Sequence, residues 1–135
     1  MYFELPVLKS EVGDATAFLV KQFVGIDLDS DGISLHFDGR KVFELIPIEE
    51  WDDLIMTRGC YVQVVVEDPM SATDSMYQHF HLIKRKGWRE EVMGRAGIRV
   101  VTLPYFPCNA FIFSDPTTVV DFSLITEFYD TDNKF

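Results

Sequence analysis

The sequence predicts a single α+β domain over residues 1–135: a mostly antiparallel sheet with a three-stranded meander in its N-terminal half and helices packed on one face. Three observations carry that reading. Apolar residues recur with a period of two over roughly residues 25–46, the mark of strands with one buried face. Helical spacing behind a cap or first-turn proline recurs at Ser10, Pro47 and Asp115. No stretch rich in proline, serine and glycine divides the 135 residues, a length usual for one domain, and no repeat is visible in them.

The first helix is expected over Ser10 to about Val24, where Val12, Ala15, Phe18, Leu19 and Phe23 share a face behind a serine cap and Gly13 is the weak point. Strands follow. A two-residue Asp31-Gly32 turn sets Leu28 opposite Leu35, Ile26 opposite Phe37 and Asp27 opposite His36, so that apolar and polar residues fall on opposite faces. At Asp38-Gly39-Arg40 a two-residue loop would set Ile33 opposite Glu44. A three-residue loop sets Leu35 opposite Phe43, which keeps the faces sorted and favours a bulged turn.

Pro47 then opens "PIEEWDDLIMTRG", with acids in its first turn, Ile48, Trp51, Leu54 and Ile55 on one face and Gly59 as a stop, the clearest helical signal in the chain. "CYVQVVVED" reads as a strand covered on both faces. Residues 73–86 fit a helix through Met76, Tyr77, Phe80 and Ile83, yet "YQHFHLIK" alternates, and the alternation favours a strand. A short helix is expected over Trp88–Ala96, strands at "IRVVTLPYF" and Ala110–Phe113, and a closing helix from Asp115.

Composition narrows the classes of function. Apolar content of 47% and aromatic content of 14% suit a chain that folds by itself. No apolar run reaches the roughly 18 residues of a membrane span, and the acidic N-terminus is unlike a secretion signal, so a cytoplasmic protein with no membrane partner is expected. Cys60 and Cys108 are too few for a disulfide framework and read as buried thiols.

The net charge of −10 is uneven: residues 1–74 hold 15 acids and 5 Lys/Arg, residues 75–114 hold 2 and 6, and residues 115–135 hold 5 and 1. An acidic field disfavours nucleic acid as the main partner. The basic island, "KRKGWREEVMGR", interleaves Lys84, Arg85, Lys86, Arg89 and Arg95 with Trp88. It reads either as a charge counterweight, within the monomer or across a symmetric dimer, or as an acid-binding edge with Trp88 as anchor.

Candidate chemistry is sparse. "DLDSDG", Asp27–Gly32, matches a calcium loop at Asp27, Asp29, Asp31 and Gly32 but lacks its apolar residue at Ser34 and its closing glutamate at Asp38, which points to a turn. His79 and His81, two apart on a strand, would point the same way and could chelate a metal with His36; on a helix their rings would diverge. Glu67 and Asp68 close the valine-rich strand ahead of the basic island. A metal-dependent hydrolase or nuclease would use them with the histidines, but the acid-x-lysine triplet such a site needs occurs only at Asp132-Asn133-Lys134. Nucleophile elbows and phosphate loops are absent from the sequence, and no cofactor is expected.

The expectation that remains is a small acidic protein-binding factor, of inhibitor, immunity, antitoxin or anti-defence type, that occludes a basic surface of a partner. Its partner-binding residues are expected to be Glu49, Glu50, Asp52 and Asp53 on the exposed helix face, a second patch of Asp27, Asp29 and Asp38, and Trp88. A metal-dependent enzyme and an assembly subunit of an oligomer are the alternatives.

Overall fold

The computed structural model describes residues 2–52, 60–92 and 97–117. The chain divides between Arg58 and Gly59 into two compact units. The first runs β1 (Phe3–Leu8), a 3-10 turn (Lys9–Glu11), α1 (Val12–Gln22), β2 (Ile26–Leu28), β3 (Ser34–Phe37) and β4 (Arg40–Ile48). Its sheet has the order β1-β4-β3-β2, with β1 and β4 parallel and the other pairs antiparallel. The second runs β5 (Cys60–Val65), α2 (Pro69–Leu82), β6 (Arg89–Val92), β7 (Ile98–Thr102) and β8 (Asn109–Ser114). Its order, β5-β8-β7-β6, again has a parallel first pair and antiparallel others. The fold is α+β, built from one topology used twice.

In the first unit the helix-facing side of the sheet is apolar. Leu5 and Val7 of β1, Leu35 of β3, and Phe43 and Leu45 of β4 are buried together with Ala15, Phe18 and Leu19 of α1. Phe23, at the end of α1, brings its ring to 6.0 Å from Phe43. The second unit repeats this with aromatics: Phe80 of α2 stands 5.4 Å from Tyr105, Tyr105 6.3 Å from Phe106, and Phe106 6.0 Å from Phe111 on β8. Fully burying each such side chain is worth roughly 1.5–3 kcal/mol.

The meander has the expected register, Ile26↔Phe37, Asp27↔His36 and Leu28↔Leu35. The second reversal reaches its expected core pair differently. Asp38 and Gly39, with φ of 52° and 75°, make a two-residue turn that pairs Phe37 with Arg40. The register then shifts between Leu35 and His36, restoring Leu35↔Phe43. The extra residue sits in the strand as a bulge, not in the loop.

Five expectations change. β1 lies in a stretch read only for its charge; Pro6 is tolerated there because β1 is a sheet edge. Pro47 and Ile48 do not start a helix: they pair with Val7 and Leu8 at the end of β4, so tertiary pairing overrides a local capping signal. Pro69–Leu82 is helix instead of strand, capped by Asp68 and burying Thr73, Met76 and Phe80 at helical spacing. Arg89–Val92 is strand instead of helix, paired with β7 from Arg89↔Thr102 to Val92↔Arg99. Ser10 belongs to the 3-10 turn and does not cap α1, which begins after Glu11. The helical signals at 53–59, 93–96 and 118–135 lie outside the described residues.

Candidate functional site

Opposite α1, the first sheet has a face that carries charge. Side chains alternate along each strand, so the partners of the buried rows can be read across all four strands. One row runs Glu4 (β1), Glu44 (β4), Ser34 (β3), Asp29, from the pairs Glu4↔Glu44 and Ser34↔Glu44 and from Asp29 N–H donating to Ser34 O at 2.8 Å. The next row runs Lys41, His36, Asp27. Below the first row, Pro6↔Ile46 and Leu8↔Ile48 make the face apolar. The bulge creates this arrangement, because it puts Lys41 and Glu44, three residues apart, on the same side.

Two contacts organise the charges. Lys41 Nζ donates to Glu44 Oε1 at 2.8 Å, with both side chains about three-quarters buried. That hydrogen bond holds the lysine above its ordinary pKa. The same ammonium lies 4.2 Å from the centre of the Tyr2 ring. His36 Nδ1 is 3.2 Å from Asp29 Oδ2, yet makes no hydrogen bond there or elsewhere among the described residues. Glu44 is therefore paired with a cation, whereas the exposed Asp27 and Asp29 leave the face acidic.

Asp31 belongs to the turn. Its carboxylate accepts from Ile33 N–H at 3.0 Å, Ser34 N–H at 2.9 Å and Ser34 Oγ at 2.6 Å. The Ser34 hydroxyl, then the two amides, lower its pKa to about 2. With Gly32 N–H donating to Asp29 O at 3.0 Å, "DLDSDG" closes a hairpin with an Asx-type turn. Asp27 and Asp29 remain on the sheet, and Asp38 is at the tip of the next turn.

The other expected residues are dispersed. Glu49 and Glu50 lie in a bend after β4, with Asp52 just beyond; all three are exposed and none is on a helix. Glu49 pairs with Lys9 at 3.5 Å, and Asp53 lies outside the described residues. His79 and His81 are on α2, not a strand, so they do not point the same way: His79 packs edge-on against Phe80, and His81 stacks on Tyr77. His36 lies in the other unit. Asp68 caps α2, accepting from Met70 N–H, Ser71 N–H and the Ser71 hydroxyl, and these bonds, the hydroxyl first, lower its pKa. Glu67 is exposed beside it. Trp88, half-buried, packs against Tyr77 and Phe80. Cys108 is a buried thiol. Among the described residues no three His, Cys, Asp or Glu side chains are placed to hold a metal ion.

Sequence reasoning missed Glu4 and Glu44. Each is the polar member of an apolar alternation, "FELPV" and "VFELI", which was the available signal.

No protein-family model and no curated protein matches the chain. A similar solved structure is that of a bleomycin resistance determinant encoded on the transposon Tn5, with a TM-score of 0.50 and 11% identity over 87% of this chain and 99% of that one. At that identity the likeness concerns the fold.

Proposed function

We propose that this chain acts by binding, and that the acidic open face of its first sheet receives a basic surface of a partner protein in the cytoplasm, as an inhibitor or immunity-type factor does. The observation that carries the proposal is the pair of cross-strand rows, Glu4-Glu44-Ser34-Asp29 and Lys41-His36-Asp27, on a face opposite the helix. Lys41 is already engaged by Glu44, so the net field there is negative and draws in a cationic partner. A small cationic ligand is a second reading, since the negative field of the same face would draw it in as well.

The test separates the face from the overall charge. Asp27→Lys with Asp29→Lys moves the net charge from −10 by two units per substitution, to −6, and so does Glu49→Lys with Glu50→Lys. Partners captured from the host lysate should lose affinity by roughly tenfold or more with the sheet pair and little with the bend pair. Equal losses would mean that net charge alone acts and that no face is specific. If no protein is captured but a small cationic compound raises the melting point in a Asp27/Asp29-dependent manner, the second reading replaces the first.

A further inference from the structure

The cations of this chain gather where its acids are missing. Residues 75–89 contain no Asp or Glu but hold Lys84, Arg85, Lys86 and Arg89, in a chain with 22 acids. They follow α2, whose last turn closes with Arg85 N–H donating to Phe80 O at 2.9 Å and Lys84 N–H to His81 O at 3.1 Å. This pair of bonds is a Schellman stop, and its left-handed position is normally glycine. Here that position is Lys84, with φ 55°. A lysine stands where the backbone would relax with glycine.

The stop leaves an apolar pair in water. Leu82 is 77% and Ile83 50% exposed. Lys84 and Lys86 are exposed next to them, with no ion-pair partner among the described residues. Behind the tip, the half-exposed Tyr77 stacks on His81 at 5.9 Å and meets Trp88 edge-on at 5.8 Å.

We propose that this tip docks the protein reversibly on an anionic membrane surface, with Leu82 and Ile83 entering the interface and Lys84 and Lys86 meeting the headgroups. Charge and apolarity together select the occupant. An aliphatic pair flanked by lysines is matched by a surface with an apolar phase under a negative layer. A nucleic acid offers phosphates and ring faces but no aliphatic depth, a basic protein is repelled, and an acidic protein, a second copy of this chain included, would bind in the absence of vesicles and so overturn the proposal. Tyr77 and Trp88 are the ring types that settle at such an interface. The contact is a docking and not a span, since among the described residues no helix is long and apolar enough to cross a membrane. The net charge of −10 does not forbid it. At about 0.15 M salt charges more than about 8 Å from the surface are screened, while lysines in contact are not. One small anchor gives weak, reversible binding.

The full chain should sediment with phosphatidylcholine vesicles that contain phosphatidylserine, at physiological salt, should stay in solution with phosphatidylcholine alone, and should be released by high salt. Lys84→Gln with Lys86→Gln should lower partitioning about tenfold or more, and Leu82→Ser with Ile83→Ser, which leaves the charge unchanged, by a similar factor. All four side chains are exposed, so unchanged circular dichroism and melting are expected and confirm that the variants fold. No sedimentation with either vesicle overturns the proposal. So does a loss with the lysine pair but none with the Leu82/Ile83 pair, or tighter binding to a single-stranded oligonucleotide than to the vesicles, because each describes a cationic patch without an interfacial anchor.

Discussion

Leu28 and Leu35 face each other across the β2–β3 hairpin, and truncating each in turn tests the register on which the acidic face depends. Leu35 is fully buried, between Leu28 and Phe43, while Leu28 on the edge strand is 42% exposed. For Leu35→Ala the lost transfer energy adds to a cavity that the flanking strands cannot close, about 3 kcal/mol. For Leu28→Ala roughly half the side chain's burial is lost and water fills the space, about 1 kcal/mol. The difference, about 2 kcal/mol, is a shift of about 1 M in urea midpoint at an m-value of roughly 2 kcal/mol/M. Both residues lie in the first unit, so the comparison holds even if the units unfold separately. Urea unfolding followed by far-UV circular dichroism measures it. A one-residue slip would send both leucines to the other face and bring Asp27 and His36 against α1. Costs within about 0.5 kcal/mol of each other would refute the register and, with it, the placement of Asp27 and Asp29 in one acidic surface.

Three further outcomes are expected. Gly25 has φ 90°, and a Cβ there would lie 3.0 Å from Phe37 Cε2; Gly25→Ala should cost about 1–2 kcal/mol in urea unfolding, with the steric part removed in a Phe37→Ala background. The Asp31 carboxyl titrates near 2 in the folded chain against an ordinary 3.8. Its stabilisation is therefore complete above the unfolded value and is lost as pH falls from about 4 to 2, so Asp31→Asn should flatten the acid limb of a melting-temperature profile in that window. Lys84→Gly relieves a left-handed lysine and should stabilise by about 1 kcal/mol in thermal or urea unfolding, while weakening vesicle binding; a loss of stability would remove the strain from the account of that loop.

The meander was legible because its information is local and redundant. Period-two alternation, a Gly-containing turn and the need to keep Leu28, Leu35 and Phe43 on one side leave a single register, and a wrong guess about the second loop still gave the right core pair, since a bulge and a longer loop shift register equally. The errors arise where a local signal met a distant partner. Pro47 followed by acids reads as a helix start, but the parallel ladder with Val7 lies forty residues away in sequence and leaves no local trace. "YQHFHLIK" alternates over eight residues, yet Asp68 and Pro69 outside that window set the helix. For the candidate site, Asp27, Asp29 and His36 were placed on the polar face from sequence. Glu4 and Glu44 needed the β1–β4 pairing, and the Lys41–Glu44 bond needed the bulge.

The two units explain why a repeated topology left no repeat in the sequence, and where their functions should differ. What both need is an apolar row facing the helix: Leu5, Val7, Phe43 and Leu45 in one, Val62, Phe111 and Phe113 in the other. Many residues satisfy that need, so identity is not retained. On the opposite face the pair Glu4–Glu44 corresponds to Tyr61–Ala110 across β5 and β8, and the pair Ser34–Asp29 to Thr102–Arg89 across β7 and β6. There Ile98, Val100, Ala110 and Ile112 form a buried apolar cluster with Tyr61 packed on it. The topology accommodates a charged exposed row or a buried apolar one, because backbone pairing and the helix-side row already stabilise the sheet. The carboxylates on the first sheet are thus not a requirement of the fold. Accessible carboxylates at positions whose counterparts in the second unit belong to a buried apolar cluster are where binding chemistry, as distinct from folding, would be expected to appear.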